Sequence, residues 1–449
     1  MLVFTSGNPA LRDSLYRDAQ TIVRQTGWYP IPQGSRLGSV AKVETLTARF
    51  RRAGPPPLTA SRIRSLRNLG GDERGCAIRL CLDTSSVLLD SGFPGRVKLE
   101  AGDAAVLLTH DHLDHAGSPF VDRKDGATYM SVGTLAALLA KRPGLQARLR
   151  QHVHLVDADK AFPLSEVITC RPFSVPHCPG AVGYEVSDGI RSIFYTGDIS
   201  VRSSRHDFIP DLCALVERSL SPERVLLLDA TMAGRGAAAS DSDTAAEVWE
   251  ATDVRDIVVT SSATDHLVYA YVDLFNFTNR DHRSSTEFVV DATMRGTFQL
   301  LHSSYITRDH RILDPFIIAQ YGKTMSSWGE SRWLFWTDEV FSDWASPQRR
   351  IWFVPHEVLG DVLRRGALAV VNVGREPLKH LPWTDAELLN IDTSPWTLHS
   401  DEAGIVQAIS ELSGRARVVL FHNYPGRLRK FITKFGLRAE ALSDEPIGF

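Results

Sequence analysis

The stretch "LLTHDHLDHAG", residues 107–117, sets three histidines and two aspartates within six consecutive positions behind an apolar run. The run itself, "AAVLL" at 104–108, reads as a buried strand. Loops at strand ends are where binding and catalytic groups concentrate, so a polar cluster this dense calls for a chemical reason. Imidazole nitrogens and carboxylate oxygens suit Zn²⁺ or Mn²⁺, and a short loop turns several of them towards one centre. His110, His112, Asp114 and His115 therefore read as metal ligands. One set serves one ion, and the remainder serves a second ion nearby.

The chain around this loop has 449 residues, enough for two or three domains and a large core. It is 43% hydrophobic and 23% charged, the balance of a soluble globular protein. Fifty basic residues against 53 acidic ones leave a net charge near −3, so no global basic field recruits nucleic acid. Arginines do gather at Arg51, Arg52, Arg62 and Arg64, and again with Lys430 at Arg427 and Arg429. Each cluster reads equally well as solvated surface. Five cysteines without CxxC spacing point to a reducing compartment rather than a disulfide framework. The first residues lack a basic region followed by a long apolar core, and no run approaches the length of a membrane span. A soluble, cytoplasmic chain without membrane contact is expected.

Residues 1–59 form an N-terminal extension of unknown role, opening on an amphipathic helix with Leu11, Leu15, Ile22 and Val23 on one side. "AGPPPLTAS" at 53–61 reads as a linker, since three prolines fit neither a helix nor a central strand. Over 60–230 short β-branched runs alternate with turns, and several runs end in Asp or His. Over 231–383 strands alternate with helical patterns, which predicts a separate α/β domain built on a parallel sheet. Its aromatic stretch "SSWGESRWLFWTDEVFSDW", 326–344, is most simply core or lid packing. Residues 384–449 return to the first texture, with "DEAGIVQAISEL" and "PGRLRKFITKFG" as helices around the strand "ARVVLFH".

The 110–115 loop resembles the HxHxDH signature of the metallo-β-lactamase superfamily, and three further segments follow the same order. "VLLDSG" ends on Asp90 and Ser91-Gly92, "VPHCPGAVGYEV" carries His177, and "FYTGDIS" carries Asp198. The resemblance covers about 60–230 and the tail from about 384. It implies a four-layer αββα sandwich in which His110, His112 and His177 hold one divalent ion. Asp114 and His115 would hold a second, Asp198 would bridge the two, and Asp90 would orient ligands by hydrogen bonds. The implied chemistry is hydrolysis by a water activated between two metal ions, zinc or manganese.

The following 150 or so residues narrow the likeness. "RVLLLDATMAG" puts Asp229 at a strand end before the α/β segment, which resembles the β-CASP nucleases with their inserted domain. "PWTLHSDEAG" then offers His399 and "ARVVLFHNYPG" offers His422, 23 residues later, in the order of that family's later motifs. The resemblance makes His422 a ligand of the second ion, and His399 with Asp229 the general acid for the departing oxygen. Three departures stand out. Leu398 and Ser400 flank His399, Asn423 and Tyr424 follow His422, and "TSSATDH" puts His266 where relatives have an arginine. Ser261 and Ser262 still precede a helix whose N-terminal amides suit a phosphate. A histidine at 422 is similar to RNA-processing members such as ribonuclease J and the mRNA 3′-end cleavage nuclease, so single-stranded RNA is favoured over DNA, with endonuclease and exonuclease modes both open. The alternatives are a DNA nuclease of the same family, a small-molecule metallohydrolase and a scaffold subunit. The near-neutral charge leaves room for a protein partner or a homodimer.

Overall fold

The computed structural model describes residues 62–290, 333–335 and 349–449, except for 71–74, 101, 118–126, 143–152, 179, 204–205, 220, 235–243, 263, 281–285, 364–368, 374–377, 379–385, 392, 394–395 and 397. The expected N-terminal helix, the proline-rich linker and most of the aromatic stretch lie outside the described residues. Among the described residues the helices are α1 (Val132–Lys141), α2 (Ile209–Glu217), α3 (Thr244–Glu250), α4 (Thr264–Arg280), α5 (His356–Leu363), α6 (Glu402–Leu412) and α7 (Pro425–Phe435). None of them is long and apolar enough to cross a membrane.

Two seven-stranded sheets face one another. In the first, Ile63–Asn68, Ile78–Leu82, Ser86–Leu89, Asp103–Leu107, Ala127–Ser131 and Val153–Val156 lie side by side, and the short C-terminal strand Ile447–Gly448 closes one edge. The second runs Glu440–Ala441, Arg417–Phe421, Glu223–Asp229, Arg191–Tyr195, Val182–Ser187, Thr169–Ser174 and Phe162–Pro163. The chain thus leaves the second sheet after Asp229 and returns to it at Arg417, where the two strands pair in parallel.

The apolar run "RVLLLD" shows why the second sheet is buried on both sides. Val225 and Leu227 face the first sheet with Tyr184, Ile193 and Val419, against Leu80, Val87, Leu89 and Leu107. Leu226 and Leu228 point the other way with Phe194 and Leu420, onto Leu212 and Val216 of α2 and Ile405, Ile409 and Leu412 of α6. Period-two alternation with both faces apolar is what a strand between two layers requires. With α1 packed on the first sheet, the layers run helix, sheet, sheet, helix, as the sequence led us to expect.

Between Asp229 and Arg417 in chain order, a third sheet of six strands forms. Its order is Trp333–Phe335, Glu287–Val290, Arg350–Pro355, Asp256–Ser261, Ala369–Asn372 and Glu387–Leu388, and every pairing is parallel. α4 follows Asp256–Ser261 directly. Its Leu267, Ala270, Tyr271 and Leu274 join Ile257, Val259, Ile351 and Phe353 in a core of its own. Strand and crossover helix alternate here as the sequence pattern predicts.

Candidate metal centre

The strands that carry the predicted site residues run in one direction, and their C-terminal ends meet at one edge of the sandwich. Asp90 follows Ser86–Leu89 and the 110–115 loop follows Asp103–Leu107, in parallel neighbours of the first sheet. Asp198, Asp229 and His422 sit at the ends of Arg191–Tyr195, Glu223–Asp229 and Arg417–Phe421, parallel neighbours of the second. Two of these ends turn sharply. Asp90 has φ 60° and His422 has φ 61°, left-handed conformations that cost a non-glycine residue about 1–3 kcal/mol. Gly197 turns the same way at φ 58°, and a Cβ there would lie 2.7 Å from Cβ of Thr109, so only glycine lets the Asp198 segment close against the 110–115 loop.

The result is a cluster of donor atoms around Asp198. His110, His112, His177 and Asp198 offer ligand atoms within 4.8 Å of one another, as do Asp114, His115 and His422, and also Asp198, Asp229 and His422. Asp198 Oδ2 lies 3.7 Å from Nε2 of both His110 and His177. Its other oxygen, Oδ1, lies 3.1 Å from His115 Nε2 and 2.8 Å from His422 Nδ1. Asp114 Oδ2 stands 3.3 Å from His422 Nε2 and 3.8 Å from His115 Nε2. The two oxygens of Asp198 thus face different sets of histidines, His110 and His177 on one side and His115 and His422 on the other.

The partners of each imidazole fix which nitrogen faces the cluster. His115 Nδ1 donates to Asp90 Oδ2 at 2.8 Å, and His399 Nδ1 donates to Asp229 Oδ2 at 2.9 Å. The Thr109 hydroxyl donates to Asp90 and so accepts from His110 Nδ1 at 2.9 Å. The Thr231 hydroxyl likewise donates to Asp229 and accepts from His422 Nδ1. A carbonyl can only accept, so His177 Nδ1 donates to the oxygen of Leu398 at 2.8 Å. His112 is the exception in orientation: Nε2 donates to Asp265 Oδ2 at 2.7 Å, leaving Nδ1 to face inwards. Such outer hydrogen bonds set the tautomer and raise the basicity of a ligating histidine.

Those assignments test whether the residues fit a divalent cation. His112 Nδ1 and His177 Nε2 stand 3.2 Å apart, two lone pairs aimed at one another. His110 Nε2 is buried without a hydrogen-bond partner, 3.7 Å from the nearest carboxylate oxygen of Asp198. Buried polar atoms left so are rare and costly. A cation between them removes both faults, and the donor set of imidazole and carboxylate is the one Zn²⁺ and Mn²⁺ accept.

Electrostatics divide the cluster. Burial, reinforced by its histidine neighbours, pushes His110 well below the ordinary imidazole range, and burial takes His177 down to about 3. Burial also acts on His115 and His422, but the carboxylates outweigh it. Asp198, Asp114 and Asp90 hold His115 well above its usual value, and Asp198 and Asp114 do the same for His422. Burial likewise opposes, and Asp229 and Asp198 overcome it, at His399. Against burial in turn, His115, His422 and His399 keep Asp198 far below the carboxylate range.

Of the residues suggested for a phosphate, Ser261 ends the strand before α4 and its hydroxyl is 3.2 Å from His266 Nδ1, while Ser262 is exposed. Burial, with His399 and His112 nearby, lowers His266 to about 3, so the ring beside Ser261 is neutral. Asp265, which meets His112, is not among the residues expected from the sequence. An acidic residue in the first turn of α4, with Tyr269 one turn on, was the only signal, and it reads equally as helix-dipole compensation.

A family model described as "Beta-lactamase superfamily domain" matches residues 87–261, so that segment carries such a domain, and members of the superfamily are generally metal-dependent hydrolases. No curated protein matches the chain. A crystal structure of a protein of unknown function from Enterococcus faecalis V583 is similar with a TM-score of 0.53 at 13% identity, covering 86% of this chain and 100% of that one. At that identity the likeness concerns the fold alone.

Proposed function

We propose that the protein is a two-metal nuclease of the β-CASP type, hydrolysing phosphodiester bonds of single-stranded nucleic acid and RNA in preference to DNA. The coarser reading, a hydrolase with a divalent metal site, rests on the 87–261 domain and the histidine–aspartate cluster. The observation that carries the finer one is the Asp229–His399 pair at the cluster's edge. His399 is partly exposed, donates from Nδ1 to Asp229, and turns Nε2 to within 3.8 Å of Asp198 Oδ2. Ser400 holds it there, accepting from the amide of Val201 and donating to the carbonyl of Ile199, next to Asp198. The all-parallel sheet of 256–388, standing in chain order between the two parts of the sandwich, supports the same reading.

When bound, divalent ions supply activation of water and neutralisation of phosphoryl charge. The chain supplies the rest. His399, raised by Asp229 and Asp198 against the effect of burial, turns Nε2 towards the cluster as the proton donor to the departing 3′-oxygen. The half-exposed Leu113 and Tyr424 sit two residues or fewer from Asp114 and His422, and give bases an apolar surface beside the ligands.

The test is incubation of the purified chain with end-labelled single-stranded RNA and DNA, carrying 5′-phosphate or 5′-hydroxyl ends, with Mn²⁺ or Zn²⁺. Cleavage of RNA that is lost in His112→Ala and Asp198→Ala is expected. Cleavage of neither polymer, with turnover of lactone or thioester substrates instead, would overturn the nuclease reading and leave a small-molecule metallohydrolase.

A further inference from the structure

We propose that Asp265 is a positioning residue for His112, so that the first-ion side of the centre is complete only when α4 of the interposed unit is docked. The inference rests on the metal centre alone and does not depend on the substrate. Its basis is one face of α4. Asp265, Tyr269 and Asp273 are spaced i, i+4 and i+8, and helical residues at that spacing share a side. Asp265 accepts from His112 Nε2 at 2.7 Å, the Tyr269 hydroxyl donates to the backbone oxygen of His177 at 2.6 Å, and Asp273 accepts from the Trp396 indole at 2.7 Å. Trp396 and Leu398 belong to the core that α4 builds, and the Leu398 carbonyl takes the His177 Nδ1 proton.

His112 is the one cluster histidine among the described residues whose ring is oriented by α4. Thr109, Asp90, Asp229 and Thr231, all within the sandwich strands and their ends, orient His110, His115, His399 and His422. Asp265 is buried, and its bond keeps the proton on Nε2 and the lone pair of Nδ1 towards His177. Loss of such an outer carboxylate weakens a metal site by about 10–100-fold. Because the contact spans two parts of the chain 153 residues apart, docking and ion binding strengthen one another by the same factor.

The experiment strips the full chain of metal and titrates it with Zn²⁺ against a chromophoric chelator, and with Co²⁺ followed by its visible spectrum. Asp265→Asn and Asp265→Ala are expected to weaken one ion by 10–100-fold and to alter the Co²⁺ spectrum of that ion only. Asp265→Glu is expected to restore part of the loss. Hydrogen exchange in α4 is expected to slow on addition of Zn²⁺ in the parent chain and not in Asp265→Asn. Asp273→Asn, which loosens the same helix face without touching a ligand, separates positioning from docking in general. Equal losses in Asp273→Asn and Asp265→Asn would overturn the inference, as would unchanged affinities and spectra in Asp265→Asn. Neither result bears on which polymer is cleaved, so the nuclease reading stands or falls separately.

Discussion

The two sides of the metal centre are built from the same residue types and differ in what holds them and how they are charged. His110, His112 and His177 form a side on which burial keeps two of the rings, His110 and His177, neutral, and on which two orienting partners, Asp265 and the Leu398 carbonyl, come from the third sheet's unit. Asp114, His115 and His422 form a side rich in carboxylate, tied down by Asp90 and Thr231 of the sandwich. The carboxylates of this second side raise His115 and His422 well above the ordinary imidazole range, against the effect of burial. The difference teaches that one side is ready for an ion when it is assembled, while the other is assembled from the start and must give up protons to accept one.

The variant expected to erase the comparison altogether is Asp198→Ala, since both sides share that carboxylate. A fall in hydrolysis of about 10³-fold or more is expected, with loss of both ions by elemental analysis, given that metal ions supply several kcal/mol of charge stabilisation. Retention of both ions would break the bridging role. Next in size, His399→Ala should lower turnover by about 10²–10⁴-fold while both ions stay bound, the range of a lost general acid. An unchanged rate would remove it from that role. Thr231→Val, which removes the hydroxyl that accepts from His422 Nδ1, should then separate the sides, weakening the Asp114–His115–His422 ion by about 10–100-fold and sparing the other. Equal weakening of both would show that the sides are not independent.

The smallest expected effect is on pH. His115 and His422 have raised values when metal-free, so an ion must displace their protons, and its affinity falls as pH drops through those values. His110 and His177 are already neutral, with His177 at about 3, so these two rings release no proton when the first ion binds between about pH 6 and 8. Calorimetry in buffers of different ionisation enthalpy counts the protons released by each. The same count for both ions would refute the asymmetry.

How much of this the sequence discloses depends on distance along the chain. His110, His112, Asp114 and His115 are legible because a single loop holds them, whereas Asp198 and His177 are reached through the resemblance of their segments to a family. The alternation in "RVLLLD" gives away a strand buried on both faces. His399 and His422 become legible only through likeness to a family, since nothing local marks them. Asp265 is hidden for a physical reason: its role exists only once α4 packs beside His112, and its spacing to Tyr269 and Asp273 is that of any amphipathic helix. The hydroxyls of Thr109 and Thr231, which set two tautomers, are hidden in the same way.

Asp229 and His399 are joined by a hydrogen bond of 2.9 Å across a separation of 170 residues. The polypeptide between them is therefore a loop closed at its neck. Closing a flexible loop of that length costs on the order of 4–5 kcal/mol of entropy, which the packing around the third sheet must offset. Because the ends already touch, a lobe of different size can return the chain to the same neck, provided that one of its helices carries an equivalent of Asp265 to His112. Any such exchange keeps its grip on chemistry only if it returns the chain to the same two residues.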